Sequence, residues 1–350
     1  MQTTQINKST ATVAKVAQKD RVGIEQKASI TALAGAIKAC ADPVRLSILR
    51  VLKADSYSVQ ELCQIFAIKQ SALSHHLKLL LESGFLATRR EGNSIFYRRE
   101  VRSIGDDLFN LHHALNALID QQPLDEALVS GIEQVASDRV AQSKDFFIQN
   151  AKKLRKQQDL IASFPQYGES VASFIAHLGL IAKNSDDAHI AIEIGPGEGL
   201  FLPFLAEHFS RVLGFDISDT VLSEAHALIQ QQALNNVELT LGDTQTALKQ
   251  GVKAQCVVLN MVLHHVASPN DIFTDCSELL LPGGGLIVTD LCHHDQLWAK
   301  EACGDVWLGF EPDDLTQWAT NCGLAEGESS YLAQRNGFRI QLRHFYKGED

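Results

Sequence analysis

Three glycines at alternate positions, Gly195, Gly197 and Gly199, follow an apolar run from His189 to Ile194 that holds a single acid, Glu193. Such a turn lets a ligand lie against bare backbone, because glycine adopts φ/ψ values that other residues avoid and adds no side chain. Further apolar runs end in polar groups: Asp216 after Arg211–Phe215, Asp243 and Thr244 after Val237–Leu241 and Gly242, Asn260 after Ala254–Leu259. Acids at successive strand ends share one sheet edge, where they can accept from ribose hydroxyls or an amino group. Beyond Asn260 lie His264 and His265, and beyond the next run His293 and His294. Imidazole exchanges protons near neutral pH, so His264 and His265 are candidate bases, with polar lining as the alternative role. The third glycine of a dinucleotide fingerprint would fall at position 200, which is Leu200, and this argues against NAD.

These residues must be held by alternating strands and helices. Strands are predicted near 189–194, 211–216, 237–241, 254–260 and 285–290, with helices near 199–209, 218–232, 270–281 and 312–322. This βαβα order implies a parallel sheet covered on both faces. Ser329–Gln334 and Phe338–Tyr346, flanking Asn336-Gly337, read as a closing hairpin. The expected fold of residues 161–350 is therefore α/β, Rossmann-like, with a mostly parallel seven-stranded sheet.

Glu193, the glycine turn, Asp216, Leu241-Gly242-Asp243, Asn260 to His265 and Leu281-Pro282-Gly283-Gly284-Gly285 together resemble the class I S-adenosylmethionine (SAM)-dependent methyltransferases. The resemblance implies SAM or S-adenosylhomocysteine (SAH) as cofactor. Asp216, beside Ile217, would take the ribose hydroxyls, and Asp243 with Thr244 the adenine amino group. Glu193 and Asn260 would orient the methionine ammonium, while Gly195, Gly197 and Gly199 admit the methionine portion and ribose. The Asn-Pro-Pro-Tyr type motif of amino-group methyltransferases is absent.

The N-terminal third has another character. Asp42-Pro43 and Ser58–Glu61 are helix openings, the latter a capping box. A short helix is followed by a second, Gln70 to Glu82, whose Leu73, Leu77 and Leu80 fall on one face. Gln70, Ser71, Ser74, His75 and Lys78 fall on the other, and none is acidic. A polar or basic outer face on the second of two helices suits entry into a DNA major groove. Phe85–Arg90 and Ser94–Arg99 then form a hairpin about Glu91-Gly92-Asn93. Its Arg89, Arg90 and Asn93, with Arg98 and Arg99, suit phosphate or minor-groove contact. A solvated polar face is the plainer alternative. Ala41-Asp42-Pro43-Val44-Arg45, Ser71 to Leu77 and Arg89 to Tyr97 resemble the ArsR/SmtB winged-helix repressors. That likeness implies an α+β winged helix-turn-helix over 29–102 and a homodimer on near-palindromic double-stranded operator DNA. Leu108, Leu111, Leu115, Leu118 and Ile119 are expected to form the dimerisation stripe. Residues 1–28 read as a mobile tail and 103–160 as a dimerisation helix and helical connector. The connector carries Phe146, Phe147 and a basic run, Lys152, Lys153, Arg155 and Lys156.

Charge follows the same division. The 350-residue chain has a formal net charge of −11, yet its first 102 residues sum to +8 and residues 161–350 to −16. A polyanion would therefore meet one end only. Seven scattered cysteines without a C-x-x-C pair, and no leader-like start, lead to the expectation of a reduced, cytoplasmic setting without membrane segments. No metal site is expected. The E-L-C-x-C motif of metal-responsive relatives is reduced here to Glu61-Leu62-Cys63, and Asp106, Asp107, His112 and His113 lack the spacing of the second family site. Cys292 and Cys303 do not make a three-thiolate arsenic site.

Two functions fit. The chain is a transcriptional repressor whose C-terminal domain senses SAM or SAH, like fusions proposed to control methionine-cycle genes, or a small-molecule methyltransferase with a fused regulatory DNA-binding domain.

Overall fold

The computed structural model describes residues 29–102, 105–180 and 189–349. The expected tail, 1–28, lies outside them, as do the side chains of 142–158, which include Phe146, Phe147 and the basic run of the connector.

The N-terminal domain opens with α1 (Ile30–Cys40), α2 (Pro43–Val51), β1 (Tyr57–Ser58), α3 (Val59–Phe66) and α4 (Gln70–Glu82). Asp42 caps α2 by accepting from the Arg45 N–H, and Ser58 and Glu61 close the capping box of α3. The hairpin β2 (Leu86–Glu91) and β3 (Ser94–Arg99) follows, with β1 pairing on β3 to make a three-stranded sheet. Ile48, Leu49, Leu62, Leu73, Leu77 and Leu80 are fully buried and form the centre of this domain.

Next come α5 (Phe109–Asp120) and α6 (Glu126–Ala162), a helix of 37 residues. Here the sequence reading needs correcting. Leu108, Leu111 and Leu115 pack partly buried against the domain's own core and Ile119 is buried in it, while Leu118 is 61% exposed. The stripe assigned to dimerisation thus mostly serves this chain. The expected connector is a single helix whose first half, through Leu128, Ile132 and Val135, joins the same core. Gly131 lies where an added Cβ would meet the Ile65 backbone at 2.8 Å, so α6 rests directly on α3.

After α7 (Phe164–His177), β4 (Ile190–Ile194) begins the large domain. It continues through α8 (Leu202–His208), β5 (Arg211–Asp216), α9 (Asp219–Gln232), β6 (Val237–Leu241), α10 (Thr244–Lys249) and β7 (Ala254–Asn260). A 3-10 turn (Leu263–His265), α11 (Pro269–Leu279), β8 (Leu280–Leu291), α12 (Leu297–Cys303), α13 (Pro312–Asn321), β9 (Leu324–Ala333) and β10 (Arg339–Lys347) complete it. The seven strands run in the order β6-β5-β4-β7-β8-β10-β9, parallel except that β10 is antiparallel to both neighbours. Strand periodicity builds two cores from one sheet. Ala191, Val212, Cys256, Val258 and Ile287 face one helical layer, while Ile192, Leu213, Val257, Leu259 and Val288 face the other. β8 starts five residues earlier than predicted, because Leu280 already pairs with Ala254. Among the described residues no helix is long and apolar enough to cross a membrane.

Candidate functional site

The glycine turn leaves β4 with Gly195, Gly197 and Gly199 all at positive φ, 67°, 57° and 78°. Packing reinforces the requirement at the outer two. A Cβ on Gly195 would lie 2.7 Å from Val262, and one on Gly199 2.8 Å from Leu202. At Gly197 an added Cβ would meet nothing within 4 Å, so this backbone is open to a ligand.

Asp216, at the end of β5, lies beside that open glycine. One carboxylate oxygen accepts from the Gly197 N–H at 3.3 Å and the other from Ser218 at 2.9 Å. Burial raises its pKa and these backbone donors oppose the rise. Ile217 projects beside it, 73% exposed, an apolar side chain in reach of water. Asp243 caps α10, its Oδ1 accepting from the Thr246 N–H and hydroxyl, and remains exposed. Thr244 does not join it. Its hydroxyl donates to Asp275 at 2.5 Å and the residue is 2% exposed, so its polar atom serves the α10–α11 contact instead of the strand-end edge.

Glu193 and Asn260, on adjacent strands, share a hydrogen bond in which Asn260 Nδ2 donates to Glu193 Oε1 at 3.1 Å. Glu193 is 1% exposed, and burial pushes it up to about 7, with the Asn260 bond opposing and the Asp216 charge adding. Glu193 Oε2 and Asn260 Oδ1 are buried acceptors without a hydrogen-bond partner among the described residues. Two buried acceptors side by side are costly unless a donor arrives, and a cationic amine is a strong candidate for one.

Past Asn260 the chain turns sharply at Met261, whose φ of 56° is uncommon for a residue with a side chain. His264 is then 2% exposed, its Nδ1 2.7 Å from Asp290, whose other oxygen accepts from the Leu263 N–H. Burial works against its charge, but Asp290 and Asp305 outweigh it and push His264 up to about 9. Held charged by these two carboxylates, the ring would donate a proton rather than accept one. His265 is shifted the opposite way, by burial and by the His264 charge, and bonds the Gly304 backbone. Sequence reasoning missed Asp290 and Asp305. Asp290, next to last in β8, could have been found by the strand-end logic that found Asp216; Asp305 sits in a loop with no pattern to announce it.

The DNA-facing candidates divide. Gln70, Ser71, Ser74, His75 and Lys78 are all exposed on α4, as are Arg90 and Asn93 at the tip of the hairpin. Arg89 is not. It is 5% exposed and clamped between Glu91 at 2.7 Å and Asp314 of α13 at 2.5 Å, with Arg98 adding a 3.2 Å contact to Asp314. Its expected phosphate role gives way to a buried contact with the large domain. Arg99 is likewise taken, by Asp120 and the Leu49 carbonyl. In α5, His112 stacks on Phe85 and its Nδ1 accepts from Arg102, which also holds Asp106.

Comparison with known proteins agrees with this division. Residues 42–88 match the family model of bacterial regulatory proteins of the arsR family, and residues 192–288 match a methyltransferase domain. The chain carries an arsR-type helix-turn-helix and a methyltransferase domain. Among curated proteins, a ubiquinone biosynthesis O-methyltransferase of Coxiella burnetii is 26% identical over 146 residues, 38% of this chain and 62% of that protein. The chain thus spans less than two thirds of this relative's length. An uncharacterized 37.1 kDa protein in transposon TN4556 of Streptomyces fradiae is 33% identical over 112 residues, 31% of this chain and 32% of that one. Among solved structures, magnesium protoporphyrin IX methyltransferase from Synechocystis PCC 6803 with bound SAH has a TM-score of 0.43 at 18% identity, covering 56% of this chain and 86% of that one. N-methyltransferase NodS from Bradyrhizobium japonicum WM9 with bound SAH gives 0.43 at 16% identity, covering 56% and 98%.

Proposed function

We propose that the chain is a cytoplasmic DNA-binding repressor, acting as a homodimer on double-stranded operator DNA, whose C-terminal domain binds SAM or SAH as its effector. Control of methionine-cycle genes is the regulatory setting such a ligand suits. The exposed face of α4 supplies the DNA contact. Ile30, Leu33 and Ile37 on α1 and Leu118 on α5, all exposed, support the homodimer. Ligand binding rests on the two unpartnered acceptors, Glu193 Oε2 and Asn260 Oδ1, beside the open backbone of Gly197. There the methionine ammonium would donate to Glu193 and Asn260, the ribose would meet Asp216, and the adenine would lie between Ile217 and Asp243.

One observation carries the coupling. β7 ends at Asn260, and four residues on the His264 carbonyl accepts from the N–H groups of Val306 and Trp307. The next N–H, of Leu308, donates at 2.8 Å to Glu91 of the hairpin. The ligand edge and the winged-helix domain are therefore joined by two backbone bonds to the His264 carbonyl and one bond from the Leu308 N–H to the Glu91 carboxylate. An effector works only through unequal affinity for two states, and a tenfold change in operator affinity requires about 1.4 kcal/mol of such difference.

Operator binding titrated separately against SAM and SAH tests the proposal. One of the two is expected to shift operator affinity, and Asp216→Ala to abolish the shift while leaving ligand-free DNA binding intact. Unchanged operator affinity at saturating ligand would refute it. The match of residues 192–288 to a methyltransferase domain favours a second reading, a small-molecule methyltransferase with a regulatory DNA-binding domain. Transfer of labelled methyl groups from SAM onto a metabolite extract would establish that one.

A further inference from the structure

His264 and His265, in the turn after β7, converge with Asp305 from the loop after α12. His264 Nε2 is 3.9 Å and His265 Nδ1 3.5 Å from the same Asp305 oxygen, and all three candidate ligand atoms lie within 4.8 Å of one another. Asp305 is 2% exposed, and neither of its carboxylate oxygens has a hydrogen-bond partner among the described residues. A buried carboxylate left so costs several kcal/mol unless a cation compensates it, and in the ion-free fold the cation beside it is the His264 ring, 3.9 Å away without a hydrogen bond. The nearest ammonium, on Lys300, is engaged with the Val306 carbonyl at 2.8 Å.

We propose that His264, His265 and Asp305 form a binding site for a divalent transition-metal ion of the zinc class. Ligands about 2.0–2.1 Å from a tetrahedral ion stand about 3.4 Å apart, so the two spacings to Asp305 need to contract by about 0.5 Å or less, and the spacing between the two imidazole nitrogens, within 4.8 Å, by at most about 1.4 Å. The ring of His264 is already oriented for the task. Its Nδ1 faces Asp290 at 2.7 Å, so a metal that displaces the Nε2 proton leaves Nδ1–H bonded to that carboxylate, the carboxylate–histidine–metal arrangement of many zinc sites. Asp290 is held in turn by the N–H groups of Leu263 and Leu291. With both imidazoles neutral, as ligation demands, Asp290 and Asp305 carry two negative charges for a dication to balance. Two nitrogens and one carboxylate oxygen suit zinc, cobalt(II) or iron(II) better than magnesium or calcium, which prefer all-oxygen sets. His265, whose side chain is 12% exposed, gives the ion its way in. The site does not depend on a bound nucleoside, so it stands apart from the SAM and SAH reading.

The test uses the full chain, stripped with a chelator and titrated with Zn2+ by calorimetry and with Co2+ by visible absorption. One equivalent per chain is expected, with a Co2+ spectrum of four- or five-coordinate nitrogen and oxygen ligation and no thiolate charge-transfer band. Asp305→Asn and His265→Gln should each weaken Zn2+ binding about 100-fold or more, whereas Cys63→Ser and His113→Gln leave it unchanged. Should Asp305→Asn fail to fold, the more accessible position, His265→Gln, carries the test, read together with the wild-type Co2+ spectrum. Absence of stoichiometric binding, a thiolate band, or Zn2+ affinity untouched by His265→Gln overturns the proposal.

Discussion

Helix α4 and the hairpin that follows it are neighbours in sequence, both polar on their outer side, and they end in opposite environments. The outer face of α4 is open, with Gln70, Ser71, Ser74, His75 and Lys78 exposed. The hairpin is turned against the large domain, where Arg89, Glu91 and Asp314 make a buried ion cluster and Phe96 meets Trp307 edge to face. Arg139 of α6 makes a second such cluster. It bonds Asp55, Glu61 and the Ser56 carbonyl in the winged-helix domain, lies over Trp307 at 4.8 Å and reaches the Ala267 carbonyl. The comparison teaches that a basic residue in a DNA-binding motif has two competing polyanions: the nucleic acid and the acidic domain on its own chain. The +8 segment, 1–102, and the −16 segment, 161–350, partly neutralise each other in cis where Arg89 and Arg98 meet Asp314.

The sharpest way to break this contrast is Arg89→Ala. Removing one member of a buried ion cluster leaves Glu91 without its cation and Asp314 with Arg98 alone, at a cost of about 3–5 kcal/mol. Urea unfolding should show that loss, while Arg90→Ala, one residue away and exposed, changes stability by less than about 0.5 kcal/mol. Equal effects from the two substitutions would mean that the hairpin is not docked in solution.

On the open side the expectation is reversed, with binding affected and stability spared. Ser74→Glu with His75→Glu places two carboxylates on the α4 face opposite Leu73 and Leu77. Repulsion from DNA phosphates should lower operator affinity about 100-fold or more, with the melting temperature unchanged. Retained affinity, measured at fixed salt by fluorescence anisotropy, would transfer the DNA contact to another surface.

How much of this was legible in the sequence follows from the range of the interactions. α2, α3 and α4 were readable because Asp42, Ser58 and the Leu73–Leu77–Leu80 spacing act within a few residues. The strand ends at Asp216, Asp243 and Asn260 were readable because an alternating fold puts them on one edge. Arg89 was misread because its partner, Asp314, lies 225 residues away and leaves no local trace. Thr244 failed for the same reason, its hydroxyl being claimed by Asp275. The stripe on α5 shows a subtler limit. Periodicity shows that Leu108, Leu111 and Leu115 are buried against something, and is silent on whether that partner is a second chain or this one.

A smaller effect probes whether the docked side of the contrast extends to the ligand edge. Burial raises Glu193 to about 7, so this group favours the ligand-free fold below its ordinary pKa of 4.5, and that contribution is lost as pH rises through 7. A cationic ligand amine prefers the ionised carboxylate, so SAM affinity should change in the other direction, weaker at pH 6 than at pH 8 by about tenfold. Glu193→Gln should flatten the profile. Trp307, set against Phe96 and Arg139 at the domain contact, offers a fluorescence reading of the same titration. A flat wild-type profile would separate Glu193 from ligand binding.

The smallest expected effect concerns what the docked hairpin still offers to DNA. Its tip remains outside, with Arg90 and Asn93 exposed and the Arg90 Nε donating to the Gly92 carbonyl. Docking fixes where that tip points, and Gly92 lies where an added Cβ would meet Leu297 at 3.2 Å, so Arg90 is held in place at the end of a rigid hairpin. A single phosphate contact of that kind should contribute a few-fold in affinity, and its loss should reduce the slope of log affinity against log salt by about one. Arg90→Ala is therefore expected to weaken specific and non-specific DNA alike, whereas loss confined to specific sites would indicate base contact in the minor groove. An unchanged salt slope would show that docking has withdrawn the whole hairpin from DNA, leaving α4 to carry recognition alone.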